Sequence, residues 1–253
     1  WGELRQYAGM PESGALEEAQ IRRLIHGYYA ATSYMDAQLG RVLDELDRLG
    51  QAKNTIIVLW GDHGWHLGDH GMWCKHSNYE QATRAPLIIV APGKPAGQKT
   101  QALAEFVDVY PTLCELAGLE LPRHLEGTSL VPILEDPRAE VKSTAFQVYP
   151  RGSRPHGPLL GQAARSDRWR YVEWRTREDR VIARELYDLR DDPGETINVA
   201  DAPEHAAVVK ELGERIQAQL TAPHPPGLKM LPLDRPVPAP TSKSTVRPAP
   251  NPR

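Results

Sequence analysis

The sequence predicts an α/β fold followed by a small antiparallel β subdomain with one packed helix. Three observations predict it. A long stretch with apolar residues at three- and four-residue steps precedes the run Ile56-Ile57-Val58-Leu59-Trp60, which has the length of a sheet strand and stops at Gly61. Beyond about residue 140, short β-favouring runs alternate with turn-forming residues, as an antiparallel sheet requires. The helical period then returns between Ala206 and Leu220. On this reading residues 1–139 form the α/β core, 140–221 the smaller β-rich subdomain with its terminal helix, and 222–253 a Pro-rich tail.

Trp1 to Gly14 is rich in Gly, Pro and polar residues and reads as loop. From Ile21 to Leu49 the apolar positions share one stripe, with Arg22, Arg23, Asp44, Asp47 and Arg48 between them, so that stripe is expected to face a core. Gly50 supplies the left-handed stop. Helix, short loop and apolar strand are then half of a crossover, with residues 56–60 as a buried parallel strand. A second strand is expected at Leu87–Val90 after Pro86, and a helix at Tyr110–Ala117 with proline in its first turn and Gly118 after it. Short strands are expected at Ala145–Tyr149, Gly161–Arg165, Trp169–Trp174 and Arg184–Tyr187. The acids Asp191, Asp192 and Glu195 read as a turn. The tail holds ten of the chain's 23 prolines and almost no aromatic residue, too little apolar surface to offset the entropy of ordering it.

The loop after residue 60 concentrates the chemistry. It carries Asp62, Asp69, His63, His66, His70, His76 and Lys75, punctuated by Gly61, Gly64, Gly68 and Gly71. Such a loop at the carboxyl end of a sheet strand is where α/β folds place ligands. Three readings compete. His63, His66 and His70 at i, i+3 and i+7 would line one face of a helix and suit zinc, but the glycines oppose that helix. The histidines could be ordinary polar loop residues. Asp62-His63, an anionic and an imidazole donor side by side after a strand, is a common means of holding a divalent cation.

Composition narrows the partners. With 40% hydrophobic residues, 25% charged residues and a net charge of -3, the chain can bury a core and shows no basic signature for nucleic acid or an anionic membrane. No apolar run approaches the length of a membrane span. The two cysteines, Cys74 and Cys114, lie forty residues apart without metal-like spacing.

A strand followed by Asp62-His63-Gly64, then Leu67-Gly68-Asp69-His70-Gly71, then Lys75 twelve positions after His63, resembles a conserved block of the sulfatases, members of the alkaline-phosphatase-like superfamily. Within that family, Asp-His-Gly-Trp at 62–65, Trp-x-Lys-x-Ser-Asn at 73–78 and the helix around Tyr28-Tyr29-Ala30 are most similar to iduronate 2-sulfatase-like enzymes. The resemblance runs from about residue 20 to about residue 200. It implies part of an alkaline-phosphatase-like α/β/α sandwich with a carboxyl-terminal antiparallel subdomain, and a hydrolase acting on sulfate esters, in particular those of sugars and glycosaminoglycans.

The family also implies roles. Asp62 and His63 become ligands of one Ca2+ ion, completed by residues missing from this chain, and Lys75 becomes the catalytic clamp on the sulfate. Trp65, His66 and His76 are expected beside that sulfate as substrate contacts, with His70 in a supporting hydrogen bond that holds the loop. The family nucleophile, a formylglycine made within a Cys/Ser-x-Pro-x-Arg motif, finds no such motif here. With Trp1 in first place and no signal pattern, the chain is expected to be a fragment, inactive alone, of a periplasmic or secreted parent. The alternatives are a phosphodiester or phosphonate monoester hydrolase of the same superfamily, or a catalytically inactive truncated chain.

Overall fold

The structure is a computed structural model and describes residues 2–153 and 155–223, so the proline-rich tail lies outside the described residues but for its first two positions. In chain order the elements of the first part are α1 (Glu18–Arg48), β1 (Ile57–Trp60), β2 (His66–Leu67), β3 (Trp73–Cys74), α2 (Glu80–Thr83), β4 (Leu87–Val90), α3 (Val109–Leu116) and α4 (Val131–Glu135). The second part holds β5 (Ala145–Ser153), β6 (Gly157–Arg165), β7 (Trp169–Arg175), β8 (Val181–Asp188) and α5 (Ala206–Thr221).

Helix α1 begins at a capping box, in which the Gln20 side chain accepts from the backbone N–H of Glu17 and the Glu17 side chain from that of Gln20. It ends before Gly50, whose φ of +69° takes the left-handed turn foreseen for it. The stripe expected to face a core does so only at its start. Ile21, Leu24 and Ile25 pack against Leu4, Trp73 and Cys74, whereas Tyr29, Tyr34, Met35 and Val42 stay exposed, and none of the helix's residues is buried among the described residues.

Strand β1 does not lie in a parallel pair. It runs antiparallel to β4, with Ile57 opposite Val90 and Trp60 opposite Leu87, and Gly61 N–H extends the ladder to Pro86 O at 3.0 Å. A parallel neighbour needs a crossover of a dozen or more residues, usually a helix. Here the intervening chain contains a two-residue ribbon and the single turn α2, and simply doubles back. Nor is the strand buried: Ile57, Val58 and Leu59 are half-buried and Trp60 is exposed, as are Ile88 and Val90 of β4. A two-stranded ribbon is marginal by itself, so this layer depends on what covers it.

The second part is a four-stranded meander, β5-β6-β7-β8, each neighbour antiparallel. The first hairpin is longer than the runs in the sequence suggested, reaching from Ala145 opposite Arg165 to Ser153 opposite Gly157. Helix α5 lies across one face, where Leu212 and Ile216 close on Ala164, Tyr171 and Leu186. Burying each large apolar side chain there contributes roughly 1.5–3 kcal/mol. Leu159, Ala163, Val172 and Trp174 fill the opposite face.

Asp108 is a structural cap. It is buried, accepts from the backbone N–H groups of Glu105 (2.7 Å) and Thr128 (2.8 Å), and pairs with Lys142 at 2.6 Å. Asp192 likewise closes a turn, accepting from Thr196 and Ile197 N–H. Both cysteines are buried and unbridged.

Candidate active site

The loop between β1 and α2 is shaped by glycine where no other residue fits. A Cβ on Gly64 would stand 2.0 Å from Gln81 O, because Gly64 N–H donates to Ala82 O at 2.8 Å and seats the loop against α2. The short β2/β3 ribbon pairs His66 with Cys74 and Leu67 with Trp73, and so folds residue 65 back toward residue 75. Cys74 takes a positive φ of 70° at the end of that ribbon.

Asp62 and His63 lie side by side with Oδ2 and Nε2 3.5 Å apart. The His63 ring Nδ1 donates to Gly64 O at 2.8 Å, which leaves Nε2 on the side of Asp62. Asp62 Oδ1 accepts from its neighbour's backbone N–H at 3.1 Å, leaving Oδ2 on the Nε2 side. A hard oxygen and an imidazole nitrogen therefore face one point, and the Asp62 side chain is 85% exposed. Among the described residues no group of three His, Cys, Asp or Glu side chains assembles, so this pair is two donors and not a closed site.

Trp65 connects the pair to the cation. Its ring stacks on His63 at 5.9 Å between centroids and on Tyr28 of α1 at 6.2 Å, and the Lys75 ammonium stands 5.4 Å over it. Asp62, His63, Trp65 and Lys75 thus form one contiguous surface. His76 adds to it from beside Lys75, with the Tyr149 ring of β5 5.8 Å away.

His66 is not at that surface, contrary to the expectation that it lines the substrate pocket. It is fully buried, with Nε2 bonded to Ser77 Oγ at 2.7 Å, because its pairing with Cys74 in the β2/β3 ribbon turns the ring inward, edge-on to Tyr79. Burial pushes its pKa below the usual imidazole value; Asp69 opposes the shift and His70 adds to it. His70, at φ 56°, stacks flat on Tyr79 at 4.1 Å and so packs ring to ring at the far end of the loop.

The β subdomain braces the loop from behind. Asn78 Nδ2 donates to Gly161 O at 3.3 Å and Gln147 Nε2 to Ser77 O at 3.1 Å. A Cβ on Gly161 would collide with Asn78 and Trp174, so glycine is needed for the approach. Beneath lies a buried ion network: Glu80 accepts from Arg165 (2.9 Å) and Arg170, Arg170 Nε meets Glu195 Oε1 at 2.5 Å, and Glu195 Oε2 accepts from Glu80 N–H at 2.7 Å.

Glu3 is the residue that sequence reasoning missed. It accepts from Lys75 Nζ at 3.0 Å, from His76 Nε2 and from Tyr7 OH at 3.1 Å. Burial would raise its pKa, but the hydrogen bonds from Lys75, Tyr7 and His76 outweigh it and hold the carboxyl below its usual range. No local signal marks it, since Lys75 and His76 lie more than seventy residues away and only Tyr7 is a near neighbour.

Comparison with known proteins fits this geometry. The family model for N-sulphoglucosamine sulphohydrolase, C-terminal, matches residues 68–222, and the sulfatase model matches residues 5–119. A sulfatase of Formosa agariphila is 39% identical over 187 residues, covering 74% of this chain and 34% of its own, and iduronate 2-sulfatase of Mus musculus is 30% identical, covering 79% and 48%. Among solved structures, an enzyme in complex with its substrate D-glucosamine-2-N,6-O-disulfate superposes with a TM-score of 0.65 at 32% identity over 73% of this chain and 37% of that one. A phosphonate monoester hydrolase of Agrobacterium radiobacter gives 0.65 at 31% over 76% and 40%. The chain spans between a third and a half of the length of these curated relatives. With one family model covering more than half of it and a second covering its first part, the chain belongs to the sulfatase family, in the alkaline-phosphatase-like superfamily.

Proposed function

We propose that this chain supplies one wall of a sulfatase active site that hydrolyses sulfate esters of sugars. The observation that carries the reading is the continuous surface in which Lys75 lies over Trp65 and Trp65 lies against the Asp62–His63 pair. A sulfate ester is a tetrahedral anion on which charge grows as sulfur is attacked, and a fixed ammonium stabilises that charge. Lys75 is that ammonium. Trp65, stacked between His63 and Tyr28, holds the ring against which Lys75 is set and so positions the ammonium beside the Asp62–His63 pair. The relative bound to a glucosamine disulfate supports a sulfated sugar as substrate.

Asp62 and His63 would hold a divalent cation through Oδ2 and Nε2, the two donors left facing each other by the bonds to the backbone. Calcium, the family's ion, would supply Lewis acidity toward a sulfate oxygen when bound. Carboxylate oxygen suits it, and further oxygen donors would have to come from outside the described residues. The family's formylglycine nucleophile lies within a Cys/Ser-x-Pro-x-Arg motif that this sequence lacks, so the 253-residue chain alone gives no turnover.

The test compares this chain with a chain extended upstream to the length of its relatives, on an aryl sulfate with calcium. The extended enzyme turns over, and Lys75→Ala lowers its rate about 10²–10³-fold. Turnover unaffected by Lys75→Ala would sink the clamp. The second reading, a phosphonate monoester hydrolase, is favoured by the likeness to the Agrobacterium enzyme. A preference of the extended enzyme for phenyl phosphonates over aryl sulfates would select it.

A further inference from the structure

Glu3 is held at the candidate anion site by its own anchorage. Leu4, next to it, is buried against Trp73 and Cys74, and the Arg5 guanidinium donates to Pro11 O at 2.9 Å and to Gly14 O at 2.5 Å, which closes the segment into a fixed loop. The Glu3 carboxylate therefore reaches Lys75 and His76 from a rigid base, with its side chain only 21% exposed. The Lys75 ammonium has the carboxylate on one side, at 3.0 Å, and the Trp65 ring 5.4 Å away.

This arrangement changes what the lysine can grip. An anion bound to Lys75 Nζ at hydrogen-bond distance would lie about 6 Å or less from the Glu3 carboxylate, within range of its field in a partly desolvated site. Repulsion from a fixed negative charge grows in proportion to the charge on the ligand, so a dianion feels twice the penalty of a monoanion. Attraction to the ammonium also doubles for the dianion, and the carboxylate cancels part of that gain. A site with Lys75 alone would prefer dianions; a site with Lys75 and Glu3 does so far less.

We propose that Glu3 is a specificity-determining residue, a charge filter whose carboxylate beside Lys75 turns the site toward singly charged tetrahedral esters and away from doubly charged phosphate monoesters. The inference rests on Lys75 being the oxyanion clamp. It concerns charge rather than the central atom, so a phosphonate monoester, singly charged like a sulfate ester, passes the same filter.

The experiment measures binding of three probes to the full 253-residue chain with calcium at pH 8, followed by the NMR shift of the Trp65 indole N–H: phenyl sulfate, phenyl phosphate, and the phenyl monoester of methylphosphonic acid. Glu3→Gln keeps the shape and an acceptor for Lys75. It is expected to tighten phenyl phosphate about tenfold relative to the other two, whose ratio to each other stays constant. A Glu3→Gln chain that shifts all three affinities by one common factor, or none, overturns the filter, because a role confined to shape would not sort ligands by charge. Lys75→Ala separates the two levels of the argument. If it weakens all three probes, the clamp stands whatever Glu3 does; if it leaves all three unchanged, the clamp fails and the filter with it.

Discussion

Replacing Arg170 with methionine should be among the most damaging single changes in the chain. The guanidinium is 2% exposed and holds two carboxylates at once: Glu80, which also has Arg165, and Glu195, which is fully buried. Methionine keeps most of the volume, so the loss is electrostatic. Breaking a buried pair by removing one partner leaves an uncompensated charge and costs about 3–5 kcal/mol. That cost falls chiefly on Glu195, since Glu80 retains Arg165.

The pH dependence follows from the same residue. Burial already raises the Glu195 pKa, with Arg170 lowering it in opposition; without Arg170 the pKa rises further. A carboxyl whose folded pKa exceeds its unfolded value contributes stability at low pH and loses it as pH rises through the folded pKa. The penalty of Arg170→Met is therefore larger at pH 8 than at pH 5. Urea unfolding followed by the fluorescence of Trp169 and Trp174 measures it, and Glu195→Gln placed on top of Arg170→Met should recover most of the loss. A penalty under about 1 kcal/mol, the value of an exposed pair, or a double variant less stable than Arg170→Met alone, would refute the reasoning.

Gly64→Ala forces a Cβ to within 2.0 Å of the Gln81 carbonyl, a backbone atom that cannot rotate away, so it should cost more than the roughly 1–3 kcal/mol of ordinary overpacking and displace the His63 ring; thermal unfolding and the His63 NMR signals check both. His66 is buried with a lowered pKa, so its unfolded form takes up a proton that the folded form refuses. Its contribution is complete above about pH 6.5 and is lost as pH falls below that value, and His66→Gln should flatten that part of the stability curve. Leu212→Ala should cost about 2–5 kcal/mol by opening a cavity between α5 and the sheet, and a loss below about 1 kcal/mol would mean that the helix does not pin the subdomain. Trp65→Ala should weaken phenyl sulfate binding by about 0.5–2 kcal/mol, since Lys75 loses its aromatic partner.

Much of the chain is written in local pattern. The period of α1, the stop at Gly50, the strand Leu87–Val90 and the four runs of the meander follow from side-chain spacing and turn chemistry acting within a few residues. The same is true of the neighbouring donors Asp62 and His63, whose adjacency needs no fold to bring them together.

What the sequence could not contain is direction and arrival. The apolar run at residues 57–60 reads equally as a parallel or an antiparallel strand, and only the return of the chain through the Gly64–Gln81 contact makes its partner β4 antiparallel. His66 and Trp65 are both aromatic loop residues in sequence; the β2/β3 ribbon that begins at His66 turns that ring inward to Ser77, while Trp65 just before it lies under Lys75. Glu3, Glu80 and Glu195 look like ordinary surface acids until residues 72, 90 and 25 positions along the chain supply their cations. Charge partners act through space, so spacing along a chain cannot reveal them, whereas a turn or a helical stripe is already complete within a single stretch of residues.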